Sequence, residues 1–210
     1  GRSLMRRAAA VTLWGAMLAA TPAAAAAQGV ERLVNGAGEG TVQFHFAARD
    51  GVCGNGRNYY RAAEMGYYSS YSNGMGGDES CLKGPVRAVI VRAGHEIVRI
   101  ETYAGPLSND PDGGKDLGAV GARDAATYLI HLAATLEGRP ARDAMQPAML
   151  ADSAMVTTAL TALARDATRS RDIRSSAISW LARRRSEAGG GWPASGEQKR
   201  MAIVRDRNES

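Results

Sequence analysis

Residues 125–133 read Ala125-Ala126-Thr127-Tyr128-Leu129-Ile130-His131-Leu132-Ala133, and their spacing decides how the chain is divided. Ala126, Leu129, Ile130 and Ala133 fall on one face of a 3.6-residue period, which predicts a helix with a single apolar stripe. Gly138-Arg139-Pro140 stops that helix. A short segment with Ala144, Ala148 and Leu150 follows. Val156, Leu160, Leu163 and Ala164 then form a second full stripe, and Ile173, Ala177, Ile178 and Leu181 a third. The expectation is four helices in two hairpins. Leu129, Leu132 and Ala133 match Leu160, Leu163 and Ala164 at an offset of 31 residues, and Ala144-Met145 matches Ala177-Ile178 at 33. A period of this length, carried by helix pairs, is the pattern of an α-solenoid.

Toward the N-terminus the composition changes. Residues 36–121 hold 17 glycines, whereas residues 122–188 hold one, Gly138; alanine runs the other way, 9 against 17. Glycine-rich, turn-rich sequence with β-branched runs predicts a small β region, and alanine-rich sequence predicts helices. Val42, Phe44 and Phe46 alternate with Thr41, Gln43 and His45, a period-2 strand. Residues 86–92 and 97–103 are two more strands around the turn Ala93-Gly94-His95-Glu96, hence a hairpin. Between the first strand and this hairpin lies a Gly/Tyr/Asn/Ser-rich loop over residues 50–80. A loop of that length without structure of its own is either functional or disordered.

The first 27 residues read as an export signal. Arg2, Arg6 and Arg7 supply its positive start, and residues 8–20 an apolar run broken only by Thr12 and Gly15. Ala25-Ala26-Ala27 is the small-residue pattern cut by signal peptidase, with cleavage before Gln28. The run falls short of the roughly 20 residues that span a bilayer, so no stable membrane anchor is expected once the signal is removed. The segment takes three arginines and no acidic residue with it, so the charge falls from +5 to +2. A pI of 9.5 therefore says little about partners. A periplasmic or secreted location follows, and with it a reading of Cys53 and Cys81. In an oxidising compartment a single pair has one intramolecular connectivity, here closing the Tyr-rich loop. Such a bridge contributes roughly 3–4 kcal/mol in the chain-entropy model.

Three stretches together carry a resemblance. Arg49-Asp50-Gly51-Val52-Cys53-Gly54-Asn55-Gly56, then residues 125–133, then Ala162-Leu163-Ala164-Arg165-Asp166 with Arg174-Ser175-Ser176-Ala177-Ile178-Ser179-Trp180-Leu181, resemble a group of exported bacterial HEAT-repeat-containing proteins. The likeness runs from about residue 40 to 185. It implies an α+β chain in which a small disulfide-bearing β region precedes HEAT-like α-solenoid helix pairs. The division is then 1–27 signal peptide, 28–118 β region with the disulfide loop, 119–187 helical repeats and 188–210 a flexible tail. The resemblance carries no catalytic residues.

The residues themselves offer little chemistry. His45, His95 and His131 stand apart, without the spacing of a zinc site. Ser80-Cys81-Leu82-Lys83 matches S-x-x-K formally but has none of the companion boxes of that motif. The carboxylates of residues 109–116 lack the Glu that would complete an EF-hand, and read as a solvated linker. No cofactor, metal or catalytic residue is expected, and no nucleic-acid partner. Arg165, Arg169, Arg171, Arg174 and Arg183-Arg184-Arg185 read as a solvated face that favours helix C-termini. The tyrosines stand out: Tyr59, Tyr60, Tyr67, Tyr68 and Tyr71 are five of the seven, in the composition of an adaptable binding loop. They either pack that loop onto the sheet or form a contact surface. The expected function is a non-catalytic exported scaffold that binds envelope proteins through its helices. The alternative is a binding module or enzyme acting on an envelope polymer through the Tyr-rich loop.

Overall fold

A computed structural model describes residues 22–57, 59–62, 66–69, 82–107 and 114–188. Among the described residues the fold is α+β, with a four-stranded sheet and five helices. A first helix, α1 (Pro22–Gly36), leads into β1 (Gly40–Phe46). β5 (Val86–Ala93) pairs antiparallel with β1 and turns at Gly94, φ +59°, into the antiparallel β6 (Glu96–Ala104). The expected hairpin is therefore present. β7 (Lys115–Ala119) adds to the other side of β1 in parallel, giving the order β6-β5-β1-β7. Both edge strands carry register irregularities, between Ile97 and Arg99 in β6 and between Asp116 and Ala119 in β7, and charged residues such as Glu96, Arg99, Lys115 and Asp116. Charges and irregular register on an edge strand discourage pairing with another chain.

β1 is a period-2 strand as its sequence predicts. Val42, Phe44 and Phe46 are buried, in register with Ile90, Ala88 and Val86 of β5. The ring of Phe44 lies 6.1 Å from that of Phe46 and 6.3 Å from that of Tyr128, which fixes this as the helix side of the sheet. Each such side chain removed from water contributes about 1.5–3 kcal/mol. The polar alternation is less clean than the sequence suggests, since Gln43 is buried on the opposite face.

The helices follow as α2 (Ala122–Thr135), α3 (Gly138–Leu150), α4 (Met155–Arg165) and α5 (Arg171–Ala188). α2 packs on α3 and α4 on α5, while α2 also meets α4 and α3 meets α5. Two hairpins are thus laid against each other. α3 also packs against β5 and β6, and α1 against α2. Gly138-Arg139-Pro140, which stops α2, also opens α3: Gly138 takes φ +66° at the turn, and proline suits a first helical turn. Buried residues of the sheet and of all five helices form one core cluster.

Two segments differ from the sequence reading. Residues 28–36, assigned to the β region, are the second half of α1, and Val30 and Val34 are buried in the core. They sit one turn apart, the spacing that docks a helix on its neighbour. Lys115-Asp116, read as linker, begins β7, a strand specified by its pairing with β1 rather than by any local β propensity. No helix among the described residues is long and apolar enough to cross a membrane.

Three arginines close helix C-termini, where the last four carbonyls lack partners within the helix and carry its negative pole. Arg92 of β5 donates from NH1 to the carbonyls of Val34 at 2.9 Å, Asn35 at 3.3 Å and Gly38 at 2.7 Å, sealing α1. Arg169, in the turn before α5, donates to the carbonyl of Leu136 at the end of α2 and pairs with Glu137 at 2.9 Å. Arg49 closes α3, its Nε donating to the Met149 carbonyl at 2.8 Å and its backbone N–H to Leu150 at 2.9 Å.

Tyr128 of α2 is buried between the sheet and α1. Burial holds its phenol well above the usual range, with a further push from Glu31 that Arg92 opposes. A folded-state pKa above the unfolded value means that the native state binds more protons at alkaline pH. Stability is then full below about pH 10 and declines as pH rises past it. Tyr128→Phe is expected to flatten the fall in urea midpoint above about pH 10; an unchanged alkaline slope would count against this assignment.

Candidate functional site

Among the described residues the most constrained place is the joint where the segment after β1 crosses the ends of β5 and β6. Ala48 forms a bridge with Ala151, and Asp152 N–H donates to the Ala47 carbonyl at 3.2 Å, so the chain leaves β1 along the end of α3. Gly51, φ +80°, then turns it, and buried Val52 anchors it. Cys53-Gly54 form the short strand β2 (Cys53–Gly54), and Gly54 exchanges backbone hydrogen bonds of 2.9 and 3.0 Å with Leu82. The Asn55 side chain accepts from the N–H of Arg57 at 3.0 Å, closing a tight turn.

Glycines make this joint possible. Gly56 has φ +75°, and a Cβ there would lie 2.0 Å from the carbonyl oxygen of Pro106. Gly105, φ +114°, would place a Cβ 2.5 Å from the carbonyl oxygen of Gly54, and Gly84 one 2.3 Å from Gly105. Backbone lies on backbone with no room for a side chain. Gly56 N–H donates to the Ala104 carbonyl at 2.9 Å, and Gly105 N–H to Pro85 at 3.1 Å. Above the joint the guanidinium of buried Arg87 donates to the Gly56 carbonyl at 2.8 Å and lies 4.9 Å from the centre of the Tyr103 ring. The Tyr103 hydroxyl donates to Glu101 at 3.0 Å, and Arg99 pairs with the same carboxylate at 3.2 Å. This polar row crosses the sheet face opposite the helices, where His45, Arg87 and Tyr103 are register partners across β1, β5 and β6. Its hydrogen bonds hold the joint in place. The stretch Arg49–Gly56, the most distinctive in the sequence, is thus bound up with helix capping and close backbone crossing.

Two described stretches of the segment bracketed by the cysteines are strands. β3 (Tyr59–Ala62) and β4 (Gly66–Ser69) pair antiparallel and extend β2 into a three-stranded sheet. Tyr59 is opposite Ser69, Tyr60 opposite Tyr68, and Arg61 opposite Tyr67. The register therefore brings Tyr60 and Tyr68 together and sets Tyr59 and Tyr67 one position away on either strand. Tyr71 and Cys81 lie outside the described residues, as do Ser80 of the S-x-x-K match and Asp110 and Asp112 of the acidic stretch. No cysteine among the described residues is free.

The histidines do not converge. His45 is half-buried on β1, while His95 in the hairpin turn and His131 on α2 are exposed. Among the described residues no three His, Cys, Asp or Glu side chains are grouped to hold a metal. Among the described residues, Asp143 of α3 is the one carboxylate held above its usual range; burial raises it, and Arg139, 3.3 Å away, partly opposes the shift. Sequence reasoning gave no sign of it. An open groove of about 540 Å³ runs between α1 and the start of α2, lined by Gly29, Val30, Arg32, Leu33, Val120 and Asp124.

The second candidate surface is helical. The sheet covers α3, and α4–α5 lies on the far side of α2–α3. Its outer residues are Thr157, Thr158 and Ala162 of α4 with Ser175, Ile178 and Ser179 of α5. Ile178 is 56% exposed, more than any other large apolar residue described. Of the arginines grouped in the sequence, Arg169 is drawn inward as a cap, whereas Arg165, Arg171 and Arg183 face solvent. No family model, no curated protein and no solved structure matches this chain.

Proposed function

We propose that the chain is an exported interaction protein that binds a protein partner of the envelope through the outer face of its second helix hairpin. The observation that carries this reading is Ile178, a large apolar side chain left 56% exposed in the middle of α5. The exposed residues one turn to either side of it on α5 are small, Ser175 and Ala182. A partner helix can approach such a face closely and use the isoleucine as an anchor. The stacking of α4–α5 on α2–α3 is the contact pattern of a HEAT-like solenoid, and supports that assignment for residues 119–187. The proposed location is periplasmic or secreted. Its support is the charge and hydropathy pattern of residues 1–27. We assign the partner of Cys53 as Cys81; the backbone pair between Gly54 and Leu82, each the residue after a cysteine, supports it.

A second reading uses the tyrosines. The register of β3 and β4, with Tyr60 across from Tyr68, supports a small aromatic platform for an envelope polymer. Affinity capture from an envelope extract separates the two. Ile178→Arg is expected to change stability by no more than about 0.5 kcal/mol, as an exposed position should, and to abolish recovery of the partner. Tyr59/Tyr60/Tyr68→Ser is expected to leave recovery intact. The reverse result would transfer the function to the platform, and equal recovery by all three proteins would sink both.

A further inference from the structure

We infer that Gln28 closes into a pyroglutamate, so that the exported protein begins with a blocked, uncharged residue. This rests on the export reading, with cleavage between Ala27 and Gln28. The bond lies within α1, and it is cut during translocation, before the chain has folded. What remains of α1, residues 28–36, keeps its anchors: Val30 and Val34 stay in the core, and Arg92 seals its C-terminus. Gln28 then becomes the first residue of a docked helix.

Three features of that position favour cyclisation. The first N–H groups of a helix have no partner within it, so the amine gives up no helical hydrogen bond when it reacts. The space beside the next residue is open, since a Cβ on Gly29 would meet nothing within 4 Å. A terminal ammonium would also sit at the positive pole of α1, one turn before Arg32 in sequence. Positive charge is disfavoured there, and cyclisation removes it. In the reaction the amine nitrogen attacks the side-chain amide carbon of Gln28. The N–Cδ bond forms, the Cδ–Nε2 bond breaks, and ammonia leaves with a proton taken from the amine. No oxidant, reductant or second substrate is needed.

The test is intact-mass and N-terminal peptide mass spectrometry on the full chain, exported by a Gram-negative host and kept at neutral pH. The expected product starts at residue 28, is lighter by one ammonia in nearly all molecules, and resists aminopeptidase until treated with pyroglutamyl peptidase. Gln28→Ala should be processed at the same bond, keep its full mass and be digested directly. A wild-type chain that starts at residue 28 with a free amine overturns the cyclisation and leaves export standing. A chain that keeps residues 1–27, or starts elsewhere, overturns the export reading as well.

Discussion

Gly105→Ala is expected to lower folding stability by about 3 kcal/mol or more, among the larger losses a single methyl group can cause. Two effects add. At φ +114° an L side chain is strained whatever surrounds it, and here the new Cβ would also lie 2.5 Å from the Gly54 carbonyl oxygen and 2.8 Å from the Gly56 nitrogen. Those atoms belong to backbone already fixed by the Gly56–Ala104 and Gly54–Leu82 hydrogen bonds, so they cannot yield without breaking the joint. Gly94→Ala is the control. Its φ of +59° is also positive, but a Cβ there meets nothing within 4 Å, so only the left-handed conformation is penalised, at about 1–2 kcal/mol. Urea midpoints of the two variants separate strain from collision. Equal losses would mean that the crossing at Gly105 is looser than described. A larger loss at Gly105 would show that this joint sets how the two sheets meet.

The sequence reading succeeds where a segment's own periodicity decides its structure. Val42, Phe44 and Phe46 read as a one-faced strand and are one; the four helices and the β5–β6 hairpin follow likewise from stripe spacing and a turn at Gly94. It falls short where structure comes from a distant partner. Lys115–Ala119 contains neither valine nor isoleucine and becomes a strand only because β1 offers an open edge. Cys53–Gly54, Tyr59–Ala62 and Gly66–Ser69 lie in sequence with the composition of a loop, yet backbone pairing makes them three short strands. α1 was partly legible, since Val30 and Val34 have helical spacing, but an alanine run that reads as a cleavage region lay directly before them. Among candidate functional residues, the tyrosines were visible from composition. The buried arginines were not, because nothing local distinguishes Arg49, Arg87, Arg92 or Arg169 from surface cations.

Those arginines also alter what basic composition means for this chain. Arg49, Arg92 and Arg169 are spent on helix C-termini, which leaves fewer cations for any partner. Arg92 has the greatest consequence. It is 5% exposed and reaches three carbonyls from a single NH1. Removing a buried cation can be harmless when its partners are removed with it. Here they would stay: the carbonyls of Val34, Asn35 and Gly38 would face an apolar side chain, and that of buried Val34 would stay out of water, whereas Asn35 and Gly38 are exposed residues. The Ala37 and Gly38 N–H groups share two of these carbonyls, at 3.3 and 3.4 Å, so the loss is not complete. Arg92→Met, which keeps the apolar stem, is therefore expected to cost about 1–3 kcal/mol, and Arg92→Lys roughly half of that, since one ammonium still meets the helix pole. The loss should be local at first. Amides of residues 30–38 should exchange with solvent in Arg92→Met under conditions where those of α4 remain protected, because α1 is held to the rest of the fold by this cap and by Val30 and Val34. Uniform loss of protection across the chain would mean instead that α1 and the sheet unfold as one unit, and that the arginine supports the whole core rather than its first helix.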